Sequence, residues 1–270
     1  MAKVFPYIAS SEAGIAPLHP ERVPGAEIKL ISQAEEVTFF DMVARSNRLS
    51  FTGTTKIEDG SLSLPGWVLL DCYLMPSAVI GFTVRAVDLP PDLFQAMQAP
   101  SSDAQVPVTG YTAIPSADPR TWIGVSLYSL LSGQRLGLRT KAMALAVYGT
   151  ERQIGVTQLD NASLRIHTMF GPLRLLQMAP PTHTLAHKTV IYELTVPPLP
   201  FLHKAMTEAS VSAPPEPQPA GEWLEATDAS RMNELKLKVA AEPGRWAVVY
   251  PGARPGPHGQ QVCIAKIATA

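Results

Sequence analysis

The strongest local constraint on how this chain folds is residues 121–149, TWIGVSLYSLL-SGQRLGLRT-KAMALAVYG. The first eleven residues are apolar and partly β-branched, and they read as a strand. Ser132 and Gly133 open a turn. Lys141 to Val147 are strong helix formers, and Gly149 closes the helix they build. RQIGVTQL (152–159) then reads as a further strand. A chain that alternates in this way must bury one helix stripe against a sheet, so the class is mixed α/β or α+β.

The remaining elements fit that class. AEIKLIS (26–32) reads as a short strand and EEVTFFDMVARSNRL (35–49) as a helix, with Val37, Phe40, Val43 and Ala44 at helical spacing. WVLLDCYL (67–74), AVIGFTVRAVDL (78–89), TGYTAI (109–114), LRLLQM (173–178) and HKTVIYELTV (187–196) read as strands. DLFQAMQ (92–98) and NASLRIHTMF (161–170) read as short helices. Residues 1–25 are punctuated by Pro and Gly and read as irregular. The 26 prolines mark boundaries, and the densest group lies in SVSAPPEPQPAGE (210–222). The expected organisation is therefore an irregular segment 1–25, a body 26–205, a Pro-rich linker 206–229 and a small extension 230–270. In the extension a short helix, a turn at Pro243-Gly244 and a strand are expected, and two roles are open to it, packing on the body or mediating self-association.

Net charge is −1, which argues against a nucleic-acid protein working by bulk positive charge. The balance is uneven: residues 1–120 carry −5, residues 121–206 carry +5 and residues 207–270 carry −1. The basic segment suits an anionic ligand, or else a solvated surface with scattered Arg and Lys. No apolar run is long enough for a membrane span, and no secretory signal is read at the N-terminus. Cys72 and Cys263 lie far apart, and a cytoplasmic setting is expected. His183 and His187 have metal-like spacing, but the prolines before them and the strand after them speak against a helix, so no metal is expected.

The turn at 132–140 has a chemical reading of its own. The first turn of a helix leaves backbone N–H groups without partners, with the positive end of the helix dipole behind them. Arg135, Arg139 and Lys141 add cations at the end of a helix where cations are disfavoured. An anion bound there would reconcile the two. The alternative is an ordinary strand–helix connection with surface arginines. Neither a Walker loop nor a G-x-G-x-x-G turn is present.

On these residues the chain resembles a known family. Gln134-Arg135-Leu136-Gly137-Leu138-Arg139 is similar to the Q/R-x-x-G-x-G/A loop of GNAT acyltransferases, which binds the pyrophosphate of acyl-CoA. VTQLDNASLRIHTMFG (156–171) resembles the strand, Asn, short helix and Gly that follow in that family. MVARSNRLSFTGT (42–54), LLDCYLMPSAVIGF (69–82) and SGQRLGLRT (132–140) resemble segments of the GNAT-type domain at the C-terminal end of FkbH-like proteins. Arg139, Gly133 and Leu74-Met75 depart from the pattern. The resemblance implies a GNAT-like, mostly antiparallel central sheet with helices on both faces. It also implies an acyl-CoA or acyl-carrier-protein phosphopantetheine donor and an amine or hydroxyl acceptor. By this resemblance Gln134, Arg135, Leu136, Gly137, Leu138, Arg139, Thr140 and Asn161 bind the donor, and Asn47 and Tyr73 lie near the acceptor. His167, four residues before Gly171, would protonate the leaving thiolate, and Asp71 would act as base. Each has a plainer alternative: Asn161 as a helix cap, His167 as a packing residue, Asp71 as a surface carboxylate. A non-catalytic GNAT-fold module is the competing reading. An open split between strands 121–130 and 152–159 would favour the enzyme.

Overall fold

The computed structural model describes residues 2–51, 76–178, 189–207 and 211–268. Among the described residues twelve strands run in chain order as β1 (Phe5–Ser10), β2 (Glu27–Leu30), β3 (Val79–Arg85), β4 (Gln105–Pro107), β5 (Thr109–Pro115), β6 (Thr121–Ser129), β7 (Arg152–Gln158), β8 (Leu173–Met178), β9 (Thr189–Thr195), β10 (Glu222–Glu225), β11 (Trp246–Gly256) and β12 (Gly259–Lys266). Among the described residues the α-helices are α1 (Glu12–Ile15), α2 (Val37–Phe51), α3 (Pro91–Met97), α4 (Leu136–Tyr148), α5 (Leu164–His167), α6 (Leu199–Thr207) and α7 (Ala229–Ala241). The fold is mixed α+β, with β1–β2 and β6–β7 parallel and the other registered pairs antiparallel.

The chain divides into two units. The first takes residues 1–117, 124–149 and 202–209. Its strands run β2-β1-β3-β5-β6, with β4 on β3. Residues 5–10, expected to be irregular, form β1 between β2 and β3. Pro6 lacks an N–H and argues against a central strand. The parallel pairing with β2 starts only at Tyr7, so Pro6 is not asked to donate on that side. Helix α4 packs on β3 and β5. It is buried nearly all round, because its middle is Ala142-Met143-Ala144-Leu145-Ala146-Val147. Tyr148 ends it by bridging two strands: its hydroxyl donates to the Ala78 carbonyl (2.5 Å) and accepts from the Ala113 N–H (3.0 Å). Gly149 follows at φ +64, a left-handed stop that glycine adopts without strain.

The second unit takes residues 118–123, 150–201 and 210–270. Its strands run β10-β12-β11-β8-β9-β7, followed by the first residues of β6. Residues 222–266, read from sequence as a linker end and an extension with one strand, contribute three strands to this order. An ion-pair cluster stands at the start of β6 and β7. Asp118 accepts from Arg152, from the Arg120 N–H (3.0 Å) and from the Thr121 hydroxyl (3.0 Å), and Arg152 also meets Glu193 (3.5 Å).

Candidate functional site

Strand β6 leads into helix α4, and the first residues of β6 pair in parallel with β7. The β6–β7 register covers three pairs, Thr121–Arg152, Trp122–Gln153 and Ile123–Ile154. β7 continues to Gln158 on its other edge, against β9.

The connection from β6 into α4 is unusual. Gly133 (φ +83), Gln134 (φ +48) and Arg135 (φ +52) are all left-handed. Glycine does this freely, whereas the conformation costs roughly 1–2 kcal/mol at each of the other two. Such conformations persist where the surrounding structure holds them, and they cluster at active sites and ligand clamps. Arg135 is the N-cap, with no side-chain capping bond and no acidic residue in the first turn. The Leu136 N–H reaches the Gly133 carbonyl (3.4 Å), and the Arg139 N–H reaches that of Arg135 (3.0 Å). The N–H groups of Gly137 and Leu138 fall in the turn that has no intrahelical acceptors. Gly137 is half-buried, and beside Gly133 there is space for a Cβ. Gln134 Nε2 donates to the Ala2 carbonyl (3.3 Å).

The structure revises the electrostatic argument for this loop. Arg139 donates from Nε to the Met206 carbonyl (2.8 Å) and lies over the Phe82 ring at 4.7 Å. Burial holds its pKa down. Lys141 is fully buried, not a surface cation, and desolvation lowers its pKa to about 7. Thr140 is also buried, sharing a 2.7 Å hydrogen bond with Thr109. Leu136 and Leu138 are core residues. Of the three cations expected at the helix start, Arg135 alone combines the N-cap position with partial exposure. Three further arginines of the +5 segment are engaged elsewhere: Arg152 is ion-paired, Arg165 donates to the Ala253 carbonyl (2.7 Å), and Arg174 donates to the carbonyls of Gly244 and Ala268.

Asn47 is buried in α2 and donates from Nδ2 to Ser126 Oγ on β6 (3.0 Å), so it ties the helix to the strand. Next to it, Tyr128 lies across Gly110, where a Cβ would come within 2.5 Å of the ring. Burial raises the Tyr128 phenol to about 12, with Tyr7 and Ser46 acting in the opposite direction.

In the second unit His167 ends α5 and is buried. Its Nδ1 stands 3.4 Å from the Tyr192 hydroxyl, and the ring centroids are 5.7 Å apart. Tyr192 in turn lies on Gly155, where a Cβ would meet the ring at 2.3 Å. Desolvation raises the Tyr192 pKa, so it stays protonated. Sequence reasoning missed Tyr192. The pairing Gly155–Tyr192 depends on a register that spacing alone does not give. Asn161 is exposed, and its Oδ1 accepts the Ser163 N–H (2.9 Å) in a turn that leads into α5. The helix expected over 161–170 is in fact α5 followed by a 3-10 turn, Thr168–Phe170. Asp71, Tyr73, His183 and His187 lie outside the described residues. Among the described residues no group of three or more potential metal ligands lies together, and no helix is long and apolar enough to cross a membrane.

No protein-family model matches the chain, and no curated protein matches it in sequence. Among solved structures, the chain is similar to a CoA-dependent acyl-homoserine lactone synthase bound to SAM and isopentyl-CoA. That match has 13% identity and a TM-score of 0.43, over 86% of this chain and 100% of that one. It is similar to an aminoglycoside 6'-acetyltransferase type Ii at 14% identity and TM-score 0.40, over 59% of this chain and 91% of that one. A chain of the NatC complex bound to Gag peptide and CoA is similar at 11% identity and TM-score 0.40, over 62% of this chain and 94% of that one.

Proposed function

We propose that this protein is a GNAT-type acyltransferase that moves an acyl group from acyl-CoA, or from the phosphopantetheine of an acyl carrier protein, to an amine or hydroxyl acceptor. The observation that carries the reading is the left-handed, uncapped, basic turn Gly133-Gln134-Arg135 at the start of α4, on the residues that resemble the family's pyrophosphate loop. A pyrophosphate there would accept from the N–H groups of Gly137 and Leu138 and meet the Arg135 guanidinium. In the reaction the acceptor lone pair attacks the thioester carbonyl, the C–S bond breaks, and the thiolate takes a proton. His167 is the proposed proton donor and Asp71 the proposed base, with Tyr73 at the acceptor and Asn161 at the donor. Asn47 acts through its bond to Ser126 as a positioning residue. The FkbH-like resemblance is the reason a carrier-protein donor is kept beside CoA.

The test is a thermal-shift titration with coenzyme A. A ligand at a hundred times its Kd adds about 2.7 kcal/mol, which raises Tm by several degrees. Arg135→Ala is expected to remove at least about half of that rise, because a charge-assisted contact is worth roughly 1.5–3 kcal/mol. No rise in the parent at millimolar coenzyme A would overturn the reading. A rise with no transfer to any amine or alcohol would favour the non-catalytic module.

A further inference from the structure

The β11–β12 hairpin is interrupted by a wide bulge. Val248 pairs with Ile264 and Ala253 with Val262, so Val249 to Gly252 are set against Cys263 alone. Tyr250 and Pro251 are exposed at its tip, whereas Val249 and Gly252 are buried at its two ends. Gly252, at φ +78, is pressed onto α5: a Cβ there would come within 2.6 Å of the Leu164 carbonyl oxygen and 2.7 Å of Thr168 Oγ1. The next residue, Ala253, accepts a 2.7 Å hydrogen bond from Arg165 Nε. On the other side Gln218 accepts from the Tyr250 N–H (2.6 Å) and donates to the Thr168 carbonyl (3.1 Å). The bulge and the residue after it therefore hold α5 and the start of the 3-10 turn that follows, at Leu164, Arg165 and Thr168, and His167 lies within that span. His167 itself meets the Tyr192 hydroxyl, and Tyr192 is set by the Gly155–Tyr192 register.

We infer that the Gly252 bulge and Tyr192 are positioning elements for the His167 imidazole, so that the C-terminal hairpin sets the geometry of the proposed proton donor. The inference rests on the acyltransferase reading for its chemical purpose, but the geometric part stands on its own. A bulge with a glycine against a helix carbonyl is a way to fix a helix that is too short to fix itself: α5 is a single turn, and its ends are otherwise 3-10 or loop. Proton delivery loses efficiency when a donor shifts by an ångström, so such a clamp acts on turnover more than on donor affinity.

The experiment uses the full chain and two independent readouts. The first follows the His167 imidazole by NMR through a pH titration, with His167→Gln to assign the signal. The second follows thiol release from acetyl-CoA in the presence of a panel of primary amines and alcohols. Gly252→Ala and Tyr192→Phe are each expected to move the His167 titration midpoint by at least ~0.5 pH unit or to change its ring tautomer. They should lower the thiol-release rate at saturation about tenfold, with KM for acetyl-CoA changed less than about twofold. Arg165→Leu, which drops only the bond to Ala253, is the milder variant should Gly252→Ala disturb folding. An unchanged His167 titration in Tyr192→Phe and Arg165→Leu overturns the positioning role, whatever the enzyme does. A shifted titration with no thiol release and no coenzyme A thermal shift in the parent upholds the clamp and overturns the acyltransferase reading.

Discussion

At the scale of single residues, the loop before α4 holds two side chains in a conformation they resist. Arg135→Gly removes a Cβ from the left-handed region and is expected to raise the ligand-free stability by about 0.5–1 kcal/mol, seen as a higher unfolding midpoint. The same variant should lose most of the coenzyme A thermal shift. A midpoint that falls instead would show that the loop is not strained. Lys141 is a second case. Its ammonium is buried and its pKa is lowered to about 7, while in the unfolded chain it stays near the ordinary lysine value. Between about pH 7 and 10 the unfolded chain therefore binds a proton that the folded chain does not, and stability rises with pH by up to about 1.4 kcal/mol per unit. Urea midpoints of the parent should gain on those of Lys141→Met across that window, and parallel curves would refute the assignment. Neither the burial of Lys141 nor the turning of Arg139 onto Phe82 was legible in the sequence, where both counted as charge at a helix start. Charge counting registers valence, and burial decides whether the valence is available.

At the scale of elements, periodicity carried most of the reading. β8 falls on residues 173–178 as expected, and α2 covers 37–51 where 35–49 was read, because its apolar stripe is regular. β1 was hidden by Pro6 and by neighbouring turn residues, and β12 by a polar start, GQQ, ahead of its buried Val262–Ala265 stretch. The parallel pair β6–β7 is held at its start by Asp118, whose carboxyl is kept below the usual range chiefly by the Arg120 N–H, and also by Thr121 and Arg152. A lowered carboxyl pKa contributes stability that is present above the unfolded value and is lost as pH falls through the folded one. Asp118→Asn should therefore unfold at lower urea than the parent at pH 7, and the gap should close as pH drops below the carboxylate range. A gap that persists at pH 2 would mean that the side chain acts through packing rather than charge.

At the scale of the whole molecule, the order of strands was the least legible quantity. Local spacing gives strands but not their neighbours, and β9 beside β7, or β11 beside β8, are pairings between residues distant in sequence. The candidate residues show the same limit. The loop before α4 and His167 were picked out from motif spacing, whereas the contacts of Tyr192 and Gly252 depend on registers set by the sheet. The even surroundings of α4 also bear on time. A helix with core on nearly every side has no solvent-facing stripe from which to fray. Its amides from Ala142 to Val147 should be among the slowest to exchange with deuterium, opening only when its unit opens, while those of Gly133 and Gln134 exchange orders of magnitude faster. A ligand grasped at the first turn of α4 would then be held by the most slowly yielding part of its unit, reached through one of the quickest.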